Sequence, residues 1–176
     1  MKTSLFLSSL FAASWLTAAN LVVLHGNVKA HTEVFGDSEI DPVTTSITSH
    51  LTMENTIESI SGSITVSVSA LKSDNEDRDE HMVETLESTK YPEATYTFKN
   101  VLKTETGYTI EGIMYFHGVS KPLSVNALFL ERADNVMLRG STSFLMTEFD
   151  VEPPTLLFLT VRDQIDLSID ITFEKQ

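Results

Sequence analysis

The sequence predicts an all-β domain built from about eight antiparallel strands. Apolar and polar residues alternate with a period of two in run after run, which is the pattern of half-buried strands. Turn-forming residues such as Gly36-Asp37 and Asp134-Asn135 separate the runs. All five prolines fall at run boundaries, where a missing N–H does not interrupt a ladder. Eight such strands can stack as a sandwich or close into a barrel, and the periodicity leaves both open.

The predicted strands follow one another along almost the whole chain. They cover approximately residues 22–34, 44–53, 64–70, 96–99, 108–116, 123–129, 136–146 and 163–173. In the first strand Val22, Leu24 and Val28 are expected to share one face, opposite His25. Gly112 and Gly140 fall on predicted inward faces, where a missing side chain is expected to leave room inside.

One segment interrupts the strand pattern. Residues 73–76, Ser-Asp-Asn-Glu, have the form of a capping box with Ser73 as the N-cap. Met82 and Leu86 lie four apart on one helical face, and Tyr91-Pro92 is expected to end the helix. The sequence therefore predicts one short helix, from about residue 76 to residue 88, after the third strand.

The first 19 residues have the features of a secretory signal peptide. Lys2 gives a positive start, residues 5–16 are apolar and uncharged, and residues 17–19 are small. Cleavage after Ala30 also fits the small-residue rule, but cleavage after Ala19 keeps the first predicted strand. The prediction is a signal peptide over residues 1–19 and a single domain over residues 20–176, exported to the periplasm. An uncleaved membrane anchor is the alternative, and the short apolar run disfavours it.

Charge and composition exclude several classes of partner. The chain has no cysteine, so disulfides, thiolate metal sites and a cysteine nucleophile are absent. Its net charge is −13, and loss of Lys2 with the signal peptide would make it −14. Nucleic acid is therefore an improbable partner, because binding phosphates requires positive charge. Anionic lipid surfaces would also repel the domain, and no stable membrane insertion is expected after cleavage.

Three sequence blocks resemble the YceI-like family of exported proteins. In the longest, residues 70–82, a strand ends in a turn and leads into a helix that carries Arg-Asp-x-His, here Arg78, Asp79 and His81. The second block is Tyr91-Pro92 before the next strand.

The third block is Gly-Val-Ser-Lys-Pro at residues 118–122, and the spacing of all three blocks also fits the family. One block departs from the family pattern. Many members carry Arg-x-Asp-Phe-Gly-Ile where this chain has residues 146–151, so that Met146 and Asp150 replace the arginine and the glycine.

The resemblance implies a lipocalin-like eight-stranded barrel with a polyisoprenoid chain or an isoprenoid quinone tail in its lumen. It implies an apolar isoprenoid-type lipid as the partner and no catalytic site, metal or other cofactor. The oligomeric state is left open, and a homodimer is compatible with the sequence. The expected lumen residues are Phe98, Tyr108, Ile110, Met114, Phe116, Leu123, Val125, Phe129, Phe144, Phe149 and Phe158.

A second group of polar residues, here called the rim residues, is expected to mark the mouth of the lumen. They are Arg78, Asp79, His81, Tyr91 and Lys121. The alternative for Arg78 and Asp79 is a structural clamp that ties the helix to the barrel, because charged pairs beside helix ends are commonly structural.

Metal binding is disfavoured by the placement of the histidines. His25, His31 and His50 fall on polar strand faces, and His117 lies just past an inward-facing run. All four are expected to point outward, without the convergence that a metal site needs.

Catalysis is disfavoured for similar reasons. The acidic residues between positions 33 and 41 lie in or beside a turn, and the chain has no G-x-S-x-G elbow. The functional alternative to a lipid carrier is a non-catalytic interaction protein of the envelope, in stress response or as a redox accessory, with a filled barrel. A solidly packed interior would favour it.

Overall fold

A computed structural model describes residues 18–34, 38–156 and 159–176 of the chain. The predicted signal peptide up to residue 17 and the predicted lumen residue Phe158 lie outside the described residues. The strands are β1 (Ala19–Val34), β2 (Ser38–Ile40), β3 (Val43–Thr44), β4 (Ile47–Met53), β5 (Ser61–Ser67), β6 (Glu93–Lys103), β7 (Tyr108–Phe116), β8 (Val119–Glu131), β9 (Asn135–Leu145), β10 (Thr155–Leu156), β11 (Leu159–Thr160) and β12 (Gln164–Lys175). One α-helix, α1 (Glu76–Thr85), and two 3₁₀ turns, Ile57–Ser59 and Met146–Phe149, complete the described part.

Eight long strands form a closed antiparallel barrel. They pair in the order β12-β9-β8-β7-β6-β5-β4-β1, and β1 pairs with β12 to complete the ring. Long strands that follow one another along the chain are therefore neighbours in the wall, and only the closing pair, β1 and β12, joins strands that are far apart in sequence. Short β2 and β3 pair with β1, and β10 with β11 forms a separate hairpin. The predicted all-β barrel is confirmed, and the closing pair excludes the sandwich.

Strand β1 does not present the face that simple alternation predicts. Val22 and Leu24 are 39% and 56% exposed, whereas Leu21 is 1% exposed. The register against β12 shifts between Val23 and His25, which is a β-bulge. The extra residue exchanges the inward and outward faces, so the prediction for Val22 and Leu24 was wrong, although Val28 is buried as expected.

The barrel is packed by two apolar clusters at opposite ends. The first includes Leu21, Val136 and Phe173, each at most 1% exposed. The second includes Phe149 and Val151. Because adjacent strands are antiparallel, the start of β1 and the end of β12 lie at one end of the barrel. The end of β9 and the 3₁₀ turn after it lie at the other.

Helix α1 follows the third long strand, as predicted, but its cap differs. The N-cap is Asn75, whose side-chain oxygen accepts from the backbone N–H of Arg78 at 3.0 Å. Ser73 instead donates its hydroxyl to Asp79 Oδ1 at 2.8 Å. The prediction of Ser73 as the cap was wrong because its hydroxyl donates to the side chain of Asp79 and does not accept from a backbone N–H of the helix.

The helix is also shorter than predicted. It ends at Thr85 rather than near Ser88, and Glu87 takes a left-handed conformation with φ of 42°. A tight turn therefore ends the helix before Tyr91-Pro92 is reached.

A prediction about the barrel wall concerns Gly62 in β5. Its φ is +111°, and an added methyl group would lie 2.0 Å from the carbonyl oxygen of His50. We expect Gly62→Ala to destabilise the fold by about 3 kcal/mol or more, since both backbone strain and a clash with main chain oppose it. Urea denaturation followed by circular dichroism measures the effect. Ser63→Ala on the same strand is the control, and an equal effect of both changes would contradict the steric explanation.

Candidate functional site

The barrel encloses an apolar cavity between the two clusters. Residues from nearly every long strand line this cavity. They are Val28, Ile64, Val66, Ala94, Thr95, Tyr96, Phe98, Ile110, Met114, Leu123, Val125, Leu138, Thr142, Leu167, Ile169 and Ile171. Apart from two threonines and one tyrosine, every side chain of this set is hydrocarbon or thioether.

The cavity is narrow. Its volume is about 80 Å³. A dry cavity of about 150 Å³ binds benzene, and this one has about half that volume. The protein's own side chains therefore fill much of the lumen, which is common in barrels of eight strands.

Tyr96 occupies the space that Gly112 was expected to leave free. A methyl group on Gly112 would lie 2.5 Å from Cζ of Tyr96. The tyrosine hydroxyl lies 3.0 Å from the carbonyl oxygen of Ile110 and 2.8 Å from that of Leu123, so these two acceptors share its one proton. Burial raises the pKa of Tyr96 above its usual value. An aromatic ring laid over a glycine on the neighbouring strand stabilises the wall and takes up lumen space.

Gly140 does not leave open space either. A methyl group there would lie 3.0 Å from Cγ1 of Val125 and 3.5 Å from Cδ1 of Ile169. The expectation that both glycines widen the lumen was therefore wrong, because side chains on neighbouring strands close over them.

Five of the predicted lumen residues line the cavity. They are Phe98, Ile110, Met114, Leu123 and Val125. Sequence reasoning did not select the aliphatic residues of the lining such as Ile64, Val66 and Ile169, although their alternation already placed them on inward faces. The predicted set of lumen residues favoured large aromatic side chains, whereas the middle of the barrel is lined mainly by aliphatic ones.

The other predicted lumen residues that the structure describes pack in the ends of the barrel. Tyr108 and Phe129 form an edge-to-face pair with centroids 5.4 Å apart, against the first cluster. Phe116, Phe144 and Phe149 belong to the second cluster, with centroids between 5.1 and 6.0 Å apart. These rings seal the ends.

Among the rim residues, Asp79 has the most polar contacts. Its carboxylate is buried and accepts from the backbone N–H of Ser73 at 2.7 Å and from the Ser73 hydroxyl at 2.8 Å. Lys72 Nζ lies 3.6 Å away. Burial opposes ionisation, but these hydrogen bonds outweigh it and hold the pKa of Asp79 below its usual value. This geometry is that of a clamp between the helix and the turn before it.

The other rim residues lie apart from this clamp. Arg78 pairs with exposed Asp74 at 2.9 Å, and His81 is exposed on the helix. Tyr91 packs on the ring of His117 with centroids 4.5 Å apart, and Lys121 is exposed on β8. The structure therefore does not gather the five residues into one polar site.

His117 is buried, contrary to the prediction that it points outward. It stands at the β7–β8 turn with φ of 49°, which directs the ring under Tyr91. Its Nδ1 lies 3.1 Å from the carbonyl oxygen of Phe149, and because a carbonyl only accepts, Nδ1 donates. Nε2 lies 3.1 Å from Glu87 Oε2 without the alignment of a good hydrogen bond. The ring thereby joins three turns at this end of the barrel.

The block that departs from the family pattern is explained by local geometry. Asp150 has φ of 57°, in the left-handed region that glycine favours and aspartate tolerates. Met146, where many members carry arginine, is 4% exposed within the second cluster. The block thus keeps its turn while its first residue becomes part of the core.

Within the described residues, 18–34, 38–156 and 159–176, no three His, Cys, Asp or Glu side chains are grouped so as to hold a metal ion. The helix of this same described part is too short and too polar to cross a bilayer.

Fold and cavity together define the class of protein, a closed eight-stranded antiparallel barrel with an apolar lumen. Residues 20–173 match the family model described as the YceI-like domain. The chain therefore belongs to the YceI-like family, which confirms the resemblance carried by the three sequence blocks.

Known relatives match over part of the sequence and most of the fold. Protein YceI of Shigella flexneri is 30% identical over 74 residues, which are 41% of this chain and 39% of that protein. The chain thus spans about two fifths of the length of the curated relatives it matches. BcnA of Burkholderia cenocepacia has a TM-score of 0.74 at 12% identity, over 84% of this chain and 95% of its own.

A second solved structure is a polyisoprenoid binding domain from Saccharophagus degradans implicated in plant cell wall breakdown. It has a TM-score of 0.66 at 11% identity, and the match covers 92% of this chain and 99% of that domain. At such identities, the likeness to both solved structures shows the fold alone.

The Asp79 clamp gives a prediction that depends on pH. We expect Asp79→Asn to lower the free energy of unfolding by about 1–3 kcal/mol at pH 7, because the partly buried backbone and hydroxyl donors of Ser73 lose a charged acceptor. A carboxyl whose folded pKa is lowered stabilises the fold above its unfolded pKa and loses that contribution as pH falls. The difference between wild type and variant should therefore shrink below about pH 4.

Urea denaturation between pH 3 and pH 7 measures this difference. Asp74→Asn, at an exposed carboxylate beside the same helix, is the control and should change stability by less than about 0.5 kcal/mol. A constant effect of Asp79→Asn across the pH range would show that the charge of Asp79 does not matter.

Proposed function

We propose that this protein is a non-catalytic periplasmic carrier of an isoprenoid-type lipid, with the apolar tail held in the barrel lumen. The observation that carries the proposal is the lumen itself, an apolar cavity enclosed by a barrel of the YceI-like family. The Saccharophagus domain with the same fold, which is a polyisoprenoid binding domain, supports the choice of ligand class.

The energetics of burial suit such a ligand. Each five-carbon unit of an isoprenoid chain taken out of water contributes up to about 4 kcal/mol. Ordering of the flexible tail and of the protein offsets a large part of this. A hydrocarbon lining adds no unpaired polar group that the tail would leave unsatisfied.

The present volume of the lumen requires side chains to move when a tail enters. The cavity of about 80 Å³ does not hold a chain of several isoprene units. Met114 is flexible and lines the cavity, and Leu123 is only partly buried. Rotation of these side chains and of Tyr96 would join the cavity to the space along the barrel axis.

The choice of cleavage site is supported by the position of β1. The strand starts at Ala19 and pairs with β12 from Leu21 to His31. Cleavage after Ala30 would remove most of this pairing and leave the barrel open. We therefore propose cleavage after Ala19, which leaves the domain of residues 20–176 with all eight barrel strands.

The alternative function is a filled-barrel interaction protein of the envelope. The small cavity volume favours it, as do the aromatic rings that seal the ends of the barrel. It predicts that no lipid is taken up under any condition in which the barrel stays folded.

Ligand uptake distinguishes the two functions. We expect the protein purified from a periplasmic extract to release an isoprenoid lipid into organic solvent, identified by mass spectrometry. We also expect the delipidated protein to bind the probe geranylgeraniol in titration. Finding neither lipid nor uptake would exclude carriage and leave the filled barrel.

Variants of Ile169 test whether the lumen is the binding site. Ile169 lines the cavity on β12, so Ile169→Trp should fill it and weaken geranylgeraniol binding at least tenfold, while Ile169→Ala should enlarge it and strengthen binding. Leu128→Trp, at a side chain 57% exposed on the outer wall, is the control and should bind as wild type. Equal binding by all three variants would place the ligand elsewhere.

A further inference from the structure

The barrel wall is split between β8 and β9. Their ladder runs from the pair Glu131 and Val136 to the pair Asn126 and Ser141, and no further pair follows among the described residues. Beyond it, residues 119–125 of β8 pair with β7, and residues 142–145 of β9 pair with β12. Each of these two segments is therefore paired with its other neighbour in the wall, but the two segments are not paired with each other.

One hydrogen bond crosses the split. Thr142 Oγ1 donates to the carbonyl oxygen of Ser124 at 2.8 Å. Opening the wall here would break this bond rather than a ladder. The β1–β4 ladder is also short, with three pairs from Ala19 and Met53 to Leu21 and Leu51, but no residue of β4 lines the lumen cavity.

Side chains at the split face two spaces at once. Leu123, Thr142 and Leu167 line the lumen cavity, and the same three line a groove on the outer wall. The lumen and the groove are thus separated by single side chains. The two leucines are partly exposed, as side chains between two spaces should be.

We propose that this split is a lateral portal through which the lipid enters and leaves the lumen. The tail passes between Leu123 of β8 and Thr142 of β9, and the polar head group stays in the outer groove. The inference rests on the proposed function, and adds to it the route of the tail and the chemistry of the head group.

The groove selects an uncharged head group. Its polar side chains offer hydroxyl and amide hydrogen bonds and one carboxylate, and they are Ser124, Asn126, Ser141, Thr142, Ser143 and Asp166. None of the residues lining the groove is cationic. These groups suit a hydroxyl or a quinone carbonyl, whereas a phosphate would meet no cation among the lining residues, and the carboxylate of Asp166 is already paired with Arg162.

Two cations near the split do not change this assignment. Arg162 pairs with Asp166 and also with Glu33 at 3.3 Å, so its charge is already compensated. Lys121 is exposed on β8, two residues before Leu123, and does not line the groove. Lys121 is therefore the residue on which phosphate binding would depend if the assignment is wrong.

Closing the split chemically tests the portal. The continued register places Ser143 opposite Ser124, and both are exposed. The chain has no cysteine, so Ser124→Cys with Ser143→Cys introduces a unique pair for oxidation or for a short bis-maleimide linker. The control pair is Leu128→Cys with Arg139→Cys, at directly paired positions of the intact ladder.

The readout is the rate of exchange of all-trans-retinol, a fluorescent isoprenoid alcohol, in stopped flow. We expect the Ser124–Ser143 clamp to slow uptake and release at least tenfold relative to the same double variant before cross-linking, and to be reversed by reductant when a disulfide is used. The control clamp should leave both rates unchanged. Thr142→Val removes the bridging hydrogen bond and should speed exchange.

The outcomes separate the portal from the proposed function. If the unclamped protein binds retinol but the clamp leaves its rates unchanged, the portal is wrong and carriage stands. If the unclamped protein binds neither retinol nor geranylgeraniol, the proposed function fails, and the portal with it.

The affinities of a neutral and a charged isoprenoid test the selection of the head group. Geranylgeraniol should bind at least tenfold more tightly than geranylgeranyl diphosphate, and Lys121→Ala should change neither affinity. Tighter binding of the diphosphate that is lost in Lys121→Ala would overturn the assignment of a neutral head group.

Discussion

The β1–β12 ladder is the interaction on which the rest of the structure depends. It joins the first and last strands of the domain from Leu21 to His31, and without it both strands would be open edges. Closure also creates an inside, since the buried faces of eight strands can then pack only against one another. The residues between the two strands are held in a ring by contacts between the two ends of the chain. The lumen, its sealed ends and the split in its wall all follow from this closure.

Closure of only eight strands limits how much space can remain inside. Such a barrel has an interior about as wide as its own side chains fill, and here Tyr96 lies across Gly112 while aromatic rings occupy one end. Under the proposed function, a long tail enters only where the wall opens locally. The ladder between β8 and β9 ends before either strand does, and the unpaired stretch adjoins Leu123 and Thr142 of the lumen. A closed ring with an interrupted ladder is thus compatible with the proposed route of the tail.

Apart from the cap and the end of the helix, the errors of sequence-based prediction arise where a local pattern meets a distant partner. Alternation placed Val22 and Leu24 inward, but a bulge against β12 exchanges the faces of β1. Gly112 was expected to leave space, but a ring from the neighbouring strand takes it. His117 was expected outside, but a left-handed turn directs it to the Phe149 carbonyl. In each case the deciding residue is remote in sequence, so no window of neighbours contains the information.

The sequence by itself determined the eight strands, the position of the single helix, and the family, because each rests on periodicity or on short motifs of neighbouring residues. It also determined that the inward faces are apolar, and it identified five lining residues. Only the tertiary structure decided that the sheet closes, how wide the lumen is, which rings seal its ends, and where the wall is split. Those properties depend on register and on the packing of side chains from different strands, which are set by contacts between residues far apart in the chain.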